Sequence, residues 1–150
     1  MNKVNKILLE KRQKYATIKS SDFKSEDELL NRSAEIMNSG ADIIEFSGKT
    51  LSDQEFLRTA KKLRDLSGVF NALLVISDRI DIAKLSNADG VVLDKNSITI
   101  FDGKKLTEGH ILLGYKVCGD NLPNENELNE LDFVVSDSES PLQIKVFKEN

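Results

Sequence analysis

The stretch from Ala72 to Asp94, ALLVISDRIDIAKLSNADGVVLD, limits the fold more than any other part of the chain. Leu73, Leu74, Val75 and Ile76 form a continuous apolar run, which suits a parallel strand covered on both faces. Ile80, Ile82, Ala83 and Leu85 then give the one-sided stripe of a short helix, and Ala88-Asp89-Gly90 turns into a second apolar run, Val91 to Leu93. Asp78 and Asp94 each stand just past a strand. The stretch therefore predicts a βαβ unit with carboxylates at the carboxyl ends of its strands, where parallel α/β folds gather their chemistry.

The same rhythm runs upstream. Ser25 followed by Glu28, and Ser52 followed by Glu55, have the capping-box spacing, and each opens an amphipathic segment. These segments are expected to end at Gly40 and Gly68, and the 27-residue interval is natural for successive βα units. Tyr15 to Ile18 and Asp42 to Phe46 supply the earlier strands. Residues 3 to 13 predict a short basic helix capping the base of the fold. In the loop from Lys19 to Lys24, Ser20, Ser21 and Asp22 either reach a ligand or are hydrated. After Asp94 the rhythm breaks, and residues 97 to 106 read as a β-hairpin turning at Asp102-Gly103. Ile111 to Val117 is a fifth strand, Leu122 to Glu130 a short polar helix, and Leu131 to Val135 a sixth strand. Pro141 with alternating Leu142, Ile144 and Val146 predicts a last strand at an edge.

A length of 150 residues suits one domain but is short for a closed eight-unit barrel of about 250. The formal charge of −4 gives nucleic acid little to bind, and no apolar run approaches membrane-spanning length. Cys118 is the only cysteine, which excludes an internal disulfide, and with His110 the only histidine no Cys/His metal cluster can form. His110 precedes a strand and reads as a turn residue. These features, with no secretory apolar segment at the start, predict a soluble cytoplasmic chain.

Four segments carry a resemblance. Ile43-Ile-Glu-Phe-Ser-Gly-Lys-Thr-Leu-Ser52 is similar to L-V-Q-L-R-x-K-x-L-S, and Ile76-Ser-Asp-Arg-Ile-Asp-Ile-Ala83 to I-N-D-R followed by an apolar residue and alanine. Ala88-Asp-Gly-Val-Val-Leu-Asp-Lys-Asn-Ser97 is similar to A-D-G-V-H-L-G-Q-E-D, and Gly114-Tyr-Lys-Val-Cys118 to G-V-S-x-H. In this order and spacing, from Tyr15 to Ser136, they resemble the thiamine phosphate synthase and thiazole tautomerase (TenI-type) family of (β/α)8 barrels. The resemblance implies an incomplete TIM-like barrel, with a mostly parallel sheet of six to seven sequential strands and a second half poor in helices. Its open side would be covered by the first helix, by the hairpin, or by a second copy in a homodimer. A doubly wound receiver-like domain is disfavoured because the first strand lacks a terminal pair of acids.

The family joins a pyrimidine diphosphate to a thiazole phosphate, with carboxylates holding Mg2+ and Arg, Lys and backbone amides holding phosphates. Carried over by position, the resemblance implies that Lys49 and Asp78 are retained catalytic positions. The family's Gln becomes Glu45, its Arg becomes Ser47, its Asn becomes Ser77, its strand-five Ser becomes Lys116 and the nearby His becomes Cys118. Glu45, Ser47, Ser77, Lys116 and Cys118 are thus the ligand-binding candidates, and Asp78 and Asp94 the metal candidates, since Ser97 stands at the second metal carboxylate. The plainer alternatives are that Asp78 pairs with Arg79 or caps the next helix, that Lys49 is solvated, and that Cys118 is a packed thiol. Glu45 could pair with Lys116 on the inner face. No Gly-Gly occurs to match the family's phosphate cradle. The expected function is a degenerate domain without transferase activity, binding a small phosphorylated or anionic molecule or a partner chain. The alternative is an active enzyme of thiamine synthesis using Mg2+.

Overall fold

Alternation along each strand decides which residues face inward. The structure is a computed structural model describing residues 14–120, 122–136 and 144–145. Seven strands lie in one sheet in sequential order: β1 (Tyr15–Lys19), β2 (Ile43–Ser47), β3 (Leu73–Ser77), β4 (Gly90–Leu93), β5 (Leu112–Val117), β6 (Phe133–Ser136) and β7 (Ile144–Lys145). Strands β1 to β6 are parallel, and β7 runs antiparallel against β6 at the edge. The βα units contain α1 (Glu26–Asn38), α2 (Asp53–Val69), α3 (Ile80–Leu85), α4 (Ile100–Thr107) and α5 (Glu125–Leu128).

One face of the sheet, with Ile44, Phe46, Leu74, Ile76, Val91, Leu93 and Leu113, packs against the helices in the larger core. The other is concave. Its buried residues Tyr15, Ile43, Val75, Val92, Leu112, Phe133 and Val135 form a second cluster, so side chains of β1 and β6 belong to the same interior. A flat sheet would hold β2 and β5 about 14 Å apart, yet Lys116 Nζ on β5 lies 2.8 Å from Glu45 Oε2 on β2. The six parallel strands therefore curl into an incomplete barrel filled by its own side chains. Gly114 permits this filling: a Cβ there would sit 2.3 Å from Phe133 Cζ, so the ring occupies the space a side chain would need.

The expected β-hairpin is instead α4, while the second half of the chain stays poor in helix, α4 and α5 holding 8 and 4 residues against 13 and 17 in α1 and α2. Thr99 caps it by accepting from Asp102 N–H at 3.1 Å, and Ile100, Gly103 and Thr107 are buried at helical spacing. Gly103 is a contact residue rather than a turn, since a Cβ there would meet Leu93 Cδ1 at 2.7 Å. This segment lies on the helical layer and does not cover the open side. Gly68 lies within the last turn of α2 rather than ending it, and the left-handed residue beyond is Asn71 at φ 56°. The helix expected over residues 3 to 13 lies outside the described residues, as do Pro141, Leu142 and Val146. Among the described residues β1 has a strand neighbour on one side only, and no helix is long and apolar enough to cross a membrane.

Candidate functional site

At the carboxyl ends of β1 to β5, a pocket of about 170 Å³ is lined by Thr17, Lys19, Glu45, Ser47, Lys49, Ser77, Asp78, Val92, Leu93, Asp94 and Lys116. Every site residue expected from the sequence lines it except Cys118, which stands just beyond β5, half-buried, outside the lining. Lys19 and Thr17 were not anticipated. Period-two alternation from Tyr15 was the available signal, since it puts Tyr15, Thr17 and Lys19 on the inner face of β1.

Glu45 is the hub. Its carboxylate, 2% exposed, accepts from the Tyr15 hydroxyl on Oε1, and on Oε2 from Ser77 Oγ at 2.5 Å and Lys116 Nζ at 2.8 Å. A buried charge survives when it is paired and its remaining lone pairs are hydrogen-bonded, and residues from β1, β3 and β5 meet that need here. Burial first, then the Glu45 charge and the hydrogen bond to it, push the Tyr15 phenol well above its ordinary value. The sign follows. The folded-state value lies above the unfolded value of about 10, so this contribution is fully present below that pH and is lost as pH rises through the folded value. Alkaline unfolding monitored by circular dichroism should therefore show a loss of stability beginning above about pH 10. Tyr15→Phe should flatten that dependence while lowering neutral-pH stability by about 1–3 kcal/mol, because Glu45 loses a donor. An unchanged alkaline profile would refute the assignment.

Asp78 follows β3 with φ 67°, a left-handed conformation that a short polar side chain tolerates. Its N–H donates to Val92 O at 2.8 Å, and its carboxylate is exposed, with no hydrogen bond or ion pair to the described residues. It neither pairs with Arg79 nor caps α3. Arg79 instead forks onto Asp81 at 2.8 and 3.0 Å and reaches Asp53 at 2.9 Å, above the Phe56 ring. These bonds raise the Arg79 value and hold the Asp81 carboxyl below its usual range. Asp94 Oδ1 accepts from Asn96 N–H at 2.8 Å, and Ser97 Oγ accepts from Asp94 N–H at 2.9 Å. Ser97 thus closes the Asp94 loop and does not line the pocket.

Lys19 and Lys49 stand exposed at the β1 and β2 side of the rim. The remaining charges divide across the mouth, two lysines facing the ends of β3 and β4 with their two aspartates. Ser20 is buried, its Oγ lying 2.7 Å from Thr50 Oγ1 and tying the loops after β1 and β2 together. Among the described residues no three His, Cys, Asp or Glu side chains gather as a metal cage. Mg2+ does not require one, because it is commonly held by one or two carboxylates, with water and substrate phosphate completing its shell. Asp78, whose carboxylate has no partner among the described residues, and Asp94, with one oxygen engaged, fit that pattern. A larger cleft of about 450 Å³, lined in part by Lys84, Asp89 and His110, lies at the opposite ends of β4 and β5. His110 is there an exposed turn residue, its N–H donating to Thr107 O at 2.9 Å.

A family model described as thiamine monophosphate synthase matches residues 15–143. The thiamine-phosphate synthase of Dictyoglomus thermophilum is 32% identical over 114 residues, covering 76% of this chain and 51% of that protein. The enzyme of the same name from Prochlorococcus marinus strain AS9601 is 35% identical over 108 residues, covering 71% of this chain and 29% of its own length. Among solved structures, thiamine phosphate pyrophosphorylase from Pyrococcus furiosus superposes with a TM-score of 0.68 at 25% identity, covering 83% of this chain and 60% of that one. The chain spans about half, or less, of the curated relatives it matches.

Proposed function

This chain belongs to the thiamine monophosphate synthase family, and on that premise we propose that it binds a small phosphorylated molecule with Mg2+ and lacks transferase activity. The observation that carries this reading is the Glu45 hub, which satisfies itself across the barrel beneath a pocket of only about 170 Å³. Pockets for drug-sized ligands run to roughly 300–1,000 Å³, and condensation of two heterocycles needs both held in line. Space for one small group is what remains. Lys19 and Lys49 supply cations at the rim, and Asp78 and Asp94 would hold Mg2+, which neutralises phosphate charge when bound. Ser47 leaves the site without the arginine that the family places there. The side of β1 that has no strand neighbour among the described residues is offered, on the same reading, to a second copy of the chain.

The retained Lys49 and Asp78, with the names of the relatives, favour a second reading in which the chain is an active synthase. Incubation with the pyrimidine diphosphate, the thiazole phosphate and Mg2+ separates the two. The expected result is no thiamine phosphate above background. Product that forms readily and disappears in Asp78→Ala would overturn the proposal and establish the enzyme.

A further inference from the structure

Lys116 is a lysine on the inner wall of a barrel, at the carboxyl end of β5, with 20% of its side chain exposed. Glu45 is its one hydrogen-bond partner among the described residues, and its remaining ammonium donors stand at the pocket it lines. Lysine becomes a covalent catalyst when a carbonyl compound can reach it and a proton acceptor lies within hydrogen-bond distance, about 2.6–3.2 Å. Glu45 meets that distance at 2.8 Å, and Tyr15 and Ser77 hold the carboxylate in place. Other lysines differ: Lys62 and Lys105 face solvent and pair with exposed or half-exposed acids.

We propose that Lys116 captures small aldehydes or ketones as an imine, with Glu45 moving the protons. The ammonium gives a proton to Glu45, and the free amine attacks the carbonyl carbon, its electron pair forming the C–N bond while the C=O π pair moves to oxygen. Glu45 returns that proton to the oxygen. The nitrogen then passes a second proton to Glu45, which delivers it to the hydroxyl. Water leaves, and the nitrogen lone pair closes a protonated C=N bond. Glu45 ends as the carboxylate it began as, one water is released, and no oxidant or reductant is consumed. This activity goes beyond phosphate binding and shares its pocket, so a carbonyl compound bearing phosphate should be taken up best.

The test uses the wild-type protein, with glyceraldehyde and glyceraldehyde 3-phosphate as separate probes, cyanoborohydride to trap the imine, and peptide mass mapping to rank the lysines. Positioned acid–base groups contribute about 10²–10⁴-fold, so Lys116 should be labelled at least about tenfold faster than exposed Lys105. Glu45→Gln, checked for folding by circular dichroism, should lose that preference while labelling at Lys105 stays unchanged. Labelling of Lys116 no faster than Lys105 in the wild type, with either probe, would overturn the proposal whatever the phosphate does. Fast labelling by both probes alike would uphold it while removing support for phosphate recognition.

Discussion

Glu45→Leu should lower the stability of this protein by about 3–5 kcal/mol, because it strands a half-buried ammonium and deprives two hydroxyls of their acceptor. At this chain length each kcal/mol corresponds to roughly 2–4 °C in Tm, so calorimetry should show a fall of about 6–20 °C. Burial decides the size. An exposed lysine–glutamate pair is worth about 0–1 kcal/mol, but Glu45 is 2% exposed and Lys116 20%. The double variant Glu45→Leu, Lys116→Met should recover much of the loss, since a buried ion pair replaced as a whole by apolar groups is often neutral or stabilising. A double variant as unstable as the sum of the two singles would mean that the charges do not act on each other.

Phe133→Ala should cost about 3–5 kcal/mol in chemical denaturation. The ring is 1% exposed and belongs to the interior cluster that also holds Tyr15 of β1, so its loss opens a cavity on the concave face of the curled sheet. The complementary change overfills the same space. A Cβ on Gly114 would meet three ring atoms at 2.3 to 2.8 Å, so Gly114→Ala should cost about 1–3 kcal/mol, as forced repacking does. Combining Gly114→Ala with Phe133→Leu should be less damaging than the two separate losses added together, because the smaller side chain yields the room. A neutral Gly114→Ala would show that the ring has somewhere else to go.

Much of this was legible in the chain because local and global signals agreed. The continuous run Leu73 to Ile76 and the capping serines at Ser25 and Ser52 gave strands and helices with boundaries displaced by a residue or two, and the sheet order follows from short βα connections. The hairpin was misread because Asp102-Gly103 is also a strong turn signal. Thr99 followed three residues later by Asp102 carries the competing helix-cap signal, and packing against Leu93 decided in its favour. At the site, alternation put Glu45 and Lys116 on one face, which is why their pairing could be anticipated. The Tyr15 hydroxyl could not be, because its meeting with Glu45 depends on their side-chain conformations as well as on strand order. The bonding of Arg79 to Asp53 and Asp81 rather than to Asp78 likewise depends on the left-handed turn at Asp78, which no spacing rule supplies.

Titration calorimetry with inorganic diphosphate, with and without Mg2+, tests most directly whether the strand-end pocket is a metal-assisted phosphate site. Binding is expected only when Mg2+ is present, lost in Asp78→Ala and weakened in Lys49→Ala, with circular dichroism unchanged because both side chains are exposed. No heat under either condition, or binding of equal strength in Asp78→Ala, would contradict it.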